Sequence, residues 1–335
     1  MKNTPIKLMS VLLLGTSLTA CSVLSNIMGS SKDVKFSSYK NEVTTEEFAA
    51  GMNETITKNP VLNGTEDSND FAFSVSLNAS SEQKITNSKA AVKDRGSLTV
   101  SASASAKLAY DKDNEAAEIT GKLSADGKMV TPSYGTQKAS SDTEFDVVAQ
   151  QENEAEIKLI NKKEKTYSLE EADVSLDVAM QQLKSYLGVG VYYLSSALAS
   201  MEVEGKSDLK LYKDADLYTI VYSMKEETEL SNDEGVYATA IDELNFKAQF
   251  DLSKNVKIRF QADASSTINY SKAAQGGYGP LVSFIDLNLP VQRNEGDKEV
   301  QKVKLGLSAD YSSKSQSIKQ VNTGSYTEVE EIINL

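Results

Sequence analysis

Over most of the chain apolar and polar residues alternate with a period of two. Phe71, Phe73, Val75 and Leu77 are separated by small or polar residues. Leu98, Val100, Ala102, Ala104, Ala106 and Leu108 alternate with Ser97, Thr99, Ser101, Ser103, Ser105 and Lys107. Phe145, Val147 and Ala149 lead through a polar turn to Ala155, Ile157 and Leu159. Leu244, Phe246, Ala248, Phe250 and Leu252 face Val256, Ile258 and Phe260 across Ser253-Lys254-Asn255, a hairpin pattern. The second arm continues through Ala262, Ala264, Ile268 and Tyr270 and predicts a strand of roughly 50 Å. Val303, Leu305, Leu307, Ala309 and Tyr311 form another. Alternation of this kind buries one face and leaves the other polar, so about ten such segments predict a large antiparallel sheet.

Two stretches follow helical spacing instead. Thr44 and Glu47 match a capping box, in which each side chain satisfies a free amide of the helix start. Phe48, Met52 and Ile56 then recur on one face, and Asn59-Pro60 ends the helix. Further on, Leu176, Ala179, Met180, Leu183, Leu187, Val191, Leu194, Leu198 and Met201 recur at helical intervals, and residues 185–200 carry no charge. That uncharged run is short for a membrane span and is interrupted by serine and glycine, which favours a buried core helix. Its flanks are apolar too (Tyr186, Val189, Tyr193, Ala197), so it suits a cover for the apolar face of the sheet. No glycine-rich strand-to-helix turn occurs, and strands do not alternate with helices, which disfavours a two-lobed α/β fold.

The N-terminus carries a different pattern. Lys2 and Lys7 precede an apolar run over 8–20, long enough for a signal-peptide core and too short for a permanent span. The run ends Leu18-Thr19-Ala20-Cys21. This resembles the lipobox of bacterial lipoproteins. The resemblance implies cleavage before Cys21, a diacylglycerol thioether on it, and often an acyl group on its new amine. The alternative is an ordinary signal peptide with an incidental cysteine. Cys21 is the only cysteine, so it has no intramolecular disulfide partner, and acylation leaves no free thiol. Residues 22–40 are rich in serine and lysine and read as a flexible tether. The Tyr39-to-Phe48 stretch resembles the start of exported lipoproteins from low-GC Gram-positive bacteria, whereas Ser22 would permit outer-membrane sorting in a Gram-negative cell. The expected organisation is a signal peptide over 1–20, a tether over 21–40 and one β-rich domain over 41–335.

Charge and composition narrow the function. The formal net charge is −13 and becomes more negative by two when Lys2 and Lys7 are removed. Phosphate binding needs a basic surface, so no nucleic-acid partner is expected, nor polybasic docking on anionic lipid. The chain has no histidine. That excludes an imidazole base, a Ser-His triad and a histidine metal site. With Cys21 acylated there is no thiolate nucleophile. No catalytic residue, cofactor or metal is therefore expected, and the chain reads as a non-enzyme. Acidic groups at Glu66-Asp67, Asp111-Lys112-Asp113-Asn114-Glu115 and Asn232-Asp233-Glu234 read as solvated hairpin tips. The second of them lacks the glycine and terminal glutamate of a calcium loop. Gly276-Gly277-Tyr278-Gly279-Pro280 reads as a turn, or as a loop presenting Tyr278.

The exported part resembles, in architecture, the half-barrel lipoprotein carriers and the mycobacterial lipid-binding lipoproteins. An early helix, long meandering strands and an apolar helix set against them carry the likeness. It implies an α+β, mainly β fold: a large curved, half-barrel-like antiparallel sheet packed on a long apolar helix and a short N-terminal helix. It also implies an apolar or lipid-like ligand between sheet and helix, lined by Leu183, Leu187, Val191 and Leu194. Without the resemblance, those four residues fill an ordinary core. The expected partner is the membrane, through the lipid anchor, on the extracytoplasmic side. A surface interaction or structural protein without a small ligand is the other reading.

Overall fold

The computed structural model describes residues 33–63, 65, 70–87, 96–131, 135–151, 155–161, 164–172, 189–193, 207–273, 293–313, 318 and 323–329. The leader, Cys21, Leu183, Leu187 and Leu194 lie outside these residues, as do the Glu66-Asp67 pair and the Gly276-to-Pro280 loop.

Among the described residues the first elements are β1 (Glu42–Val43) and a helix, α1 (Thr45–Lys58). Six strands follow: β2 (Phe71–Asn87), β3 (Ser97–Asp111), β4 (Ala116–Thr131), β5 (Gly135–Gln151), β6 (Ala155–Asn161) and β7 (Thr166–Ala172). After the 189–193 helical turn come β8 (Ser207–Asp214), β9 (Leu217–Asn232), β10 (Gly235–Asp251), β11 (Lys257–Tyr270) and β12 (Asp297–Ser312). A short 3-10 turn precedes β13 (Thr327–Glu328). All thirteen strands form one sheet in the order β1-β8-β9-β10-β11-β12-β2-β3-β4-β5-β6-β7-β13. Every pairing is antiparallel except β13 on β7. Among the described residues β1 and β13 do not pair with each other, so the large curved sheet stays open. The expected mainly β architecture is what the chain adopts.

The register brings the apolar positions to one face. Phe73 opposes Leu108, and Leu77 opposes Leu307 on its other side. Leu307 opposes Phe260, which opposes Ala248, which opposes Ile220. One residue of slip in any pair would turn the whole set outward, so the core fixes the register. The expected hairpin between Leu244 and Tyr270 forms as β10 and β11, with Phe246 opposite Ala262. Rings stack along this face: Tyr222 on Phe246 at 5.1 Å and Phe246 on Phe260 at 6.0 Å.

Helix α1 closes one end of the apolar face. Thr44 caps it: its hydroxyl accepts from the Glu47 amide, and the Glu47 carboxylate accepts from the Thr44 amide. Phe48 and Met52 are buried. Each such side chain contributes about 1.5–3 kcal/mol by leaving water. Phe48 meets Tyr218 edge-on at 5.5 Å, and Tyr218 shares a 2.7 Å hydrogen bond with Thr55. At the helix end, the buried amide of Asn59 donates to the Leu252 and Ser253 carbonyls and accepts from the Val61 amide. Helix end and β10–β11 turn are thereby joined through one side chain.

Residues 33–40, the end of the stretch expected as a tether, cross the polar face of the sheet. The Val34 amide donates to Gln261 at 2.9 Å, and the Ser37 amide to Gln249 at 2.8 Å. Gln249 donates back to the Ser37 carbonyl and to Thr219. Lys247 lies 5.0 Å from the Phe36 and Tyr39 rings, Tyr39 packs on Tyr212, and Asp33 pairs with Lys304.

Candidate functional site

Of the residues expected to line a ligand site, Val191 is described. It is buried and belongs to the same cluster as Phe48, Phe71, Tyr218 and Phe246. Its neighbours Val189, Tyr192 and Tyr193 are exposed. The 189–193 segment is helical, so a helical turn does meet the apolar face of the sheet. Leu183, Leu187 and Leu194 fall outside the described residues.

The apolar face is unevenly covered. Val75, Ile119, Val147, Met224, Leu244, Phe260 and Leu307 are only partly buried, although they share the face with fully buried residues. Small side chains lie among them: Ala104 opposes Leu123, and Ala106 opposes Gly121. Small residues at lateral neighbours thin the wall and leave room above it.

Towards the opposite end of β10 to β12 the same face turns polar. Gln83 opposes Gln301, Gln301 opposes Ser266, and Ser266 opposes Asp242. The four residues thus form one transverse belt across β2, β12, β11 and β10. Their exposures are 0%, 2%, 0% and 4%. The belt separates the main core from a second apolar cluster of Leu230, Tyr237, Ala238, Ala240, Ile268 and Tyr270. Beside it, Glu299 is buried and saturated. Arg293 donates to both its oxygens, at 2.9 and 3.1 Å, Tyr270 donates at 2.9 Å, and Gln83 at 2.5 Å. Burial opposes ionisation of Glu299, but the hydrogen bonds and charge of Arg293 outweigh it and hold the carboxyl below its ordinary range. Burial and the Glu299 charge push the Tyr270 phenol up, so it stays a donor.

Four oxygens of the belt are left over. Among the described residues Gln83 Oε1, Gln301 Oε1, Ser266 Oγ and Asp242 Oδ1 are buried without a hydrogen-bond partner. Such an atom costs about 1–3 kcal/mol each, so four in one row is a strong departure from ordinary packing.

The two described acidic tips, Asp111 to Glu115 and Asn232 to Glu234, are turns. Asp111 accepts from the Asn114 amide and side chain, and Glu115 has φ 44 as the chain reverses into β4. Asn232 accepts from the Glu234 amide, and Gly235 takes φ +98 at the β9–β10 reversal. Among the described residues no group of three or more acidic, histidine or cysteine side chains could hold a metal. A cleft of about 650 Å³ lies beside the end of α1 with Lys58, Lys213 and Lys254 at its rim together with Glu54 and Asp216. A second, of about 390 Å³, lies on the polar face among Ser74, Ser105, Thr120 and Ser308. Neither adjoins the belt. No helix among the described residues is long and apolar enough to cross a membrane.

No family model matches the chain, and no curated protein does. Among solved structures, the outer membrane protease OmpT from Escherichia coli is aligned at 8% identity and TM-score 0.22, over 74% of this chain and 99% of its own. A Pseudomonas aeruginosa FadL homologue is aligned at 9% identity and TM-score 0.14, over 82% and 99%. The Pseudomonas putida toluene transporter TodX is aligned at 6% identity and TM-score 0.17, over 79% and 95%. Likenesses of this size carry no functional argument.

Proposed function

We propose that the chain is an exported lipoprotein, anchored in the membrane through Cys21, that binds an apolar or lipid-like ligand on the apolar face of its sheet without chemically changing it. The observation that carries this reading is the partial cover of that face. A sheet whose only task is to fill a core buries its apolar row throughout. Here Val75, Ile119, Leu244, Phe260 and Leu307 stay part-exposed between the α1 end and the belt. An acyl chain laid along them gains about 0.8 kcal/mol per methylene removed from water.

The tether fits this role. From Cys21 to Asp33 the chain can span at most about 40 Å when extended. From Asp33 onward it is held against the polar face through Gln249, Gln261 and Lys304. The apolar face is therefore on the side of the sheet opposite the strap.

The test is extraction of the purified full chain. Reproducible co-purified lipid in stoichiometric amount supports the reading. A protein that carries none, and takes up none from vesicles, is instead a surface interaction or structural lipoprotein. Incorporation of labelled palmitate, abolished in Cys21→Ser, tests the anchor separately.

A further inference from the structure

We infer that the helical turn at 189–193 is a membrane-docking surface, which lays Val189, Tyr192 and Tyr193 into the headgroup region of a zwitterionic bilayer. This rests on the carrier reading above and names the surface from which the ligand is taken up.

Helical geometry decides which side chains point where. At about 100° per residue, Val191 lies nearly opposite the face shared by Val189, Tyr192 and Tyr193. Val191 is 1% exposed and belongs to the main core cluster, so the turn is seated on the sheet through it. The other face therefore points outward. Val189 is 51% exposed, Tyr192 45% and Tyr193 68%, and the two rings meet edge-on at 5.8 Å. The other large apolar side chains exposed among the described residues, Leu169 and Val236, stand apart in β7 and β10. Apolar residues scattered singly over a surface are ordinary, whereas a group of them on one face marks a contact.

Chemistry selects a lipid surface as that contact. A tyrosine has an apolar ring and a polar tip, which suits the boundary between acyl chains and headgroups. The chain carries a net charge of −13, yet residues 185–200 hold no charged side chain. Protein interfaces are rimmed by polar and charged groups that set their specificity, and this segment brings no charge to such a rim. A zwitterionic bilayer asks for none, and binding to it scales with the apolar area buried. No helix among the described residues is long and apolar enough to cross a membrane, so the turn lies on the bilayer rather than through it.

Placement agrees. Val191 sits in the cluster against which Val75, Phe260 and Leu307 pack. An acyl chain leaving the bilayer beside the turn meets that partly covered row directly. The strap leaves the polar face at Asp33, and the chain from there to Cys21 reaches about 40 Å. The sheet with the turn upon it is roughly 20 Å thick, at about 10 Å per packed layer. One bilayer therefore accommodates both the lipid on Cys21 and the tyrosines.

The test uses the full chain with Cys21→Ser, so that no lipid anchor hides the contact. The chain has no tryptophan, so Tyr193→Trp provides a single reporter. On mixing with phosphatidylcholine vesicles its emission should shift to the blue and be quenched by lipids brominated near the headgroup. A reporter at Lys254→Trp, in the β10–β11 turn, should do neither. Val189→Ser with Tyr193→Ser should weaken vesicle co-sedimentation about tenfold or more and leave circular dichroism unchanged, because both side chains are exposed. Added salt should not weaken binding, since no charge takes part. An emission that vesicles leave unshifted, or that shifts equally at both reporters, overturns the docking surface. Lipid co-purified with the chain in that case leaves the carrier reading standing. Vesicle docking by a chain that carries no lipid does the reverse. A dimer that the double serine variant dissociates gives the surface to a second copy and overturns the proposal.

Discussion

Replacing Arg293 with methionine tests whether the charge network beside the belt is as tightly matched as its geometry indicates. Arg293 and Glu299 have side-chain exposures of 4% and 0%, and the guanidinium contacts both carboxylate oxygens. Removing one partner of such a pair strands the other, at a cost of about 3–5 kcal/mol. Protonation of Glu299 limits that cost, and this makes it depend on pH. In the native protein the carboxyl sits below its ordinary value, which for glutamate is about 4.3. Its ionised form therefore stabilises the fold above that value, and the stabilisation is lost as pH falls through the lower folded pKa. In Arg293→Met the burial that already opposes ionisation is no longer outweighed, so the folded pKa rises above the unfolded one. That variant then loses stability as pH rises. The gap between the two proteins should widen from about pH 5 to pH 8 in urea unfolding followed by circular dichroism. Glu299→Gln in the Arg293→Met background should recover about half of the loss or more, since no stranded charge remains. A gap that is flat across this range, or a double variant no better than the single, would refute the reasoning.

Other sites give separate readings. Asn59→Ala strands the Leu252 carbonyl and the Val61 amide and should lower stability by about 1–3 kcal/mol, measured in the same unfolding assay. Thr44→Ala removes half of the capping box of α1 and should cost about 1 kcal/mol. Gln261→Ala should speed hydrogen exchange at Val34 and leave Ser37 protected, whereas Gln249→Ala should do the reverse, because each side chain holds a different amide of the strap.

The capping box and the long hairpin could be read from sequence because each rests on local chemistry. Thr44 and Glu47 need only each other, and the Leu244-to-Tyr270 pattern carries its own period. Three features were less legible. Strand β4 has Ala117, Gly121, Ala125 and Gly127 at its apolar-face positions, so alternation is present but its amplitude is low. Strand β9 mixes Tyr218, Ile220 and Tyr222 with Val221 on the opposite face, which blurs the period. The strap is fixed by Gln249 and Gln261, more than 200 positions away, and serine-rich composition cannot announce such a partner.

The belt was hidden for a more specific reason. The pattern in β2 is followed from Phe71 to Leu77, and the strand in fact runs on through Ser81 and Gln83 to Asn87. The pattern in β12 begins at Val303, although the strand begins at Asp297 and carries Glu299 and Gln301. In β10 it begins at Leu244, just past Asp242, and in β11 it passes from Ala264 to Ile268 over Ser266. In β10, β11 and β12 the expected strand stops at, or skips, the same transverse row, and in β2 it ends before reaching it. Period-two reasoning ends a strand where a polar residue occupies an inward position, and here the inward polar positions are in register across four strands. One such break is a local fault that a neighbour can cover. Four aligned breaks, each leaving a buried oxygen unpaired, carry a penalty that packing alone gives no reason to keep. The places where the alternation fails are therefore the places where the sheet makes a specific polar demand, and that demand runs across four strands rather than along any one of them.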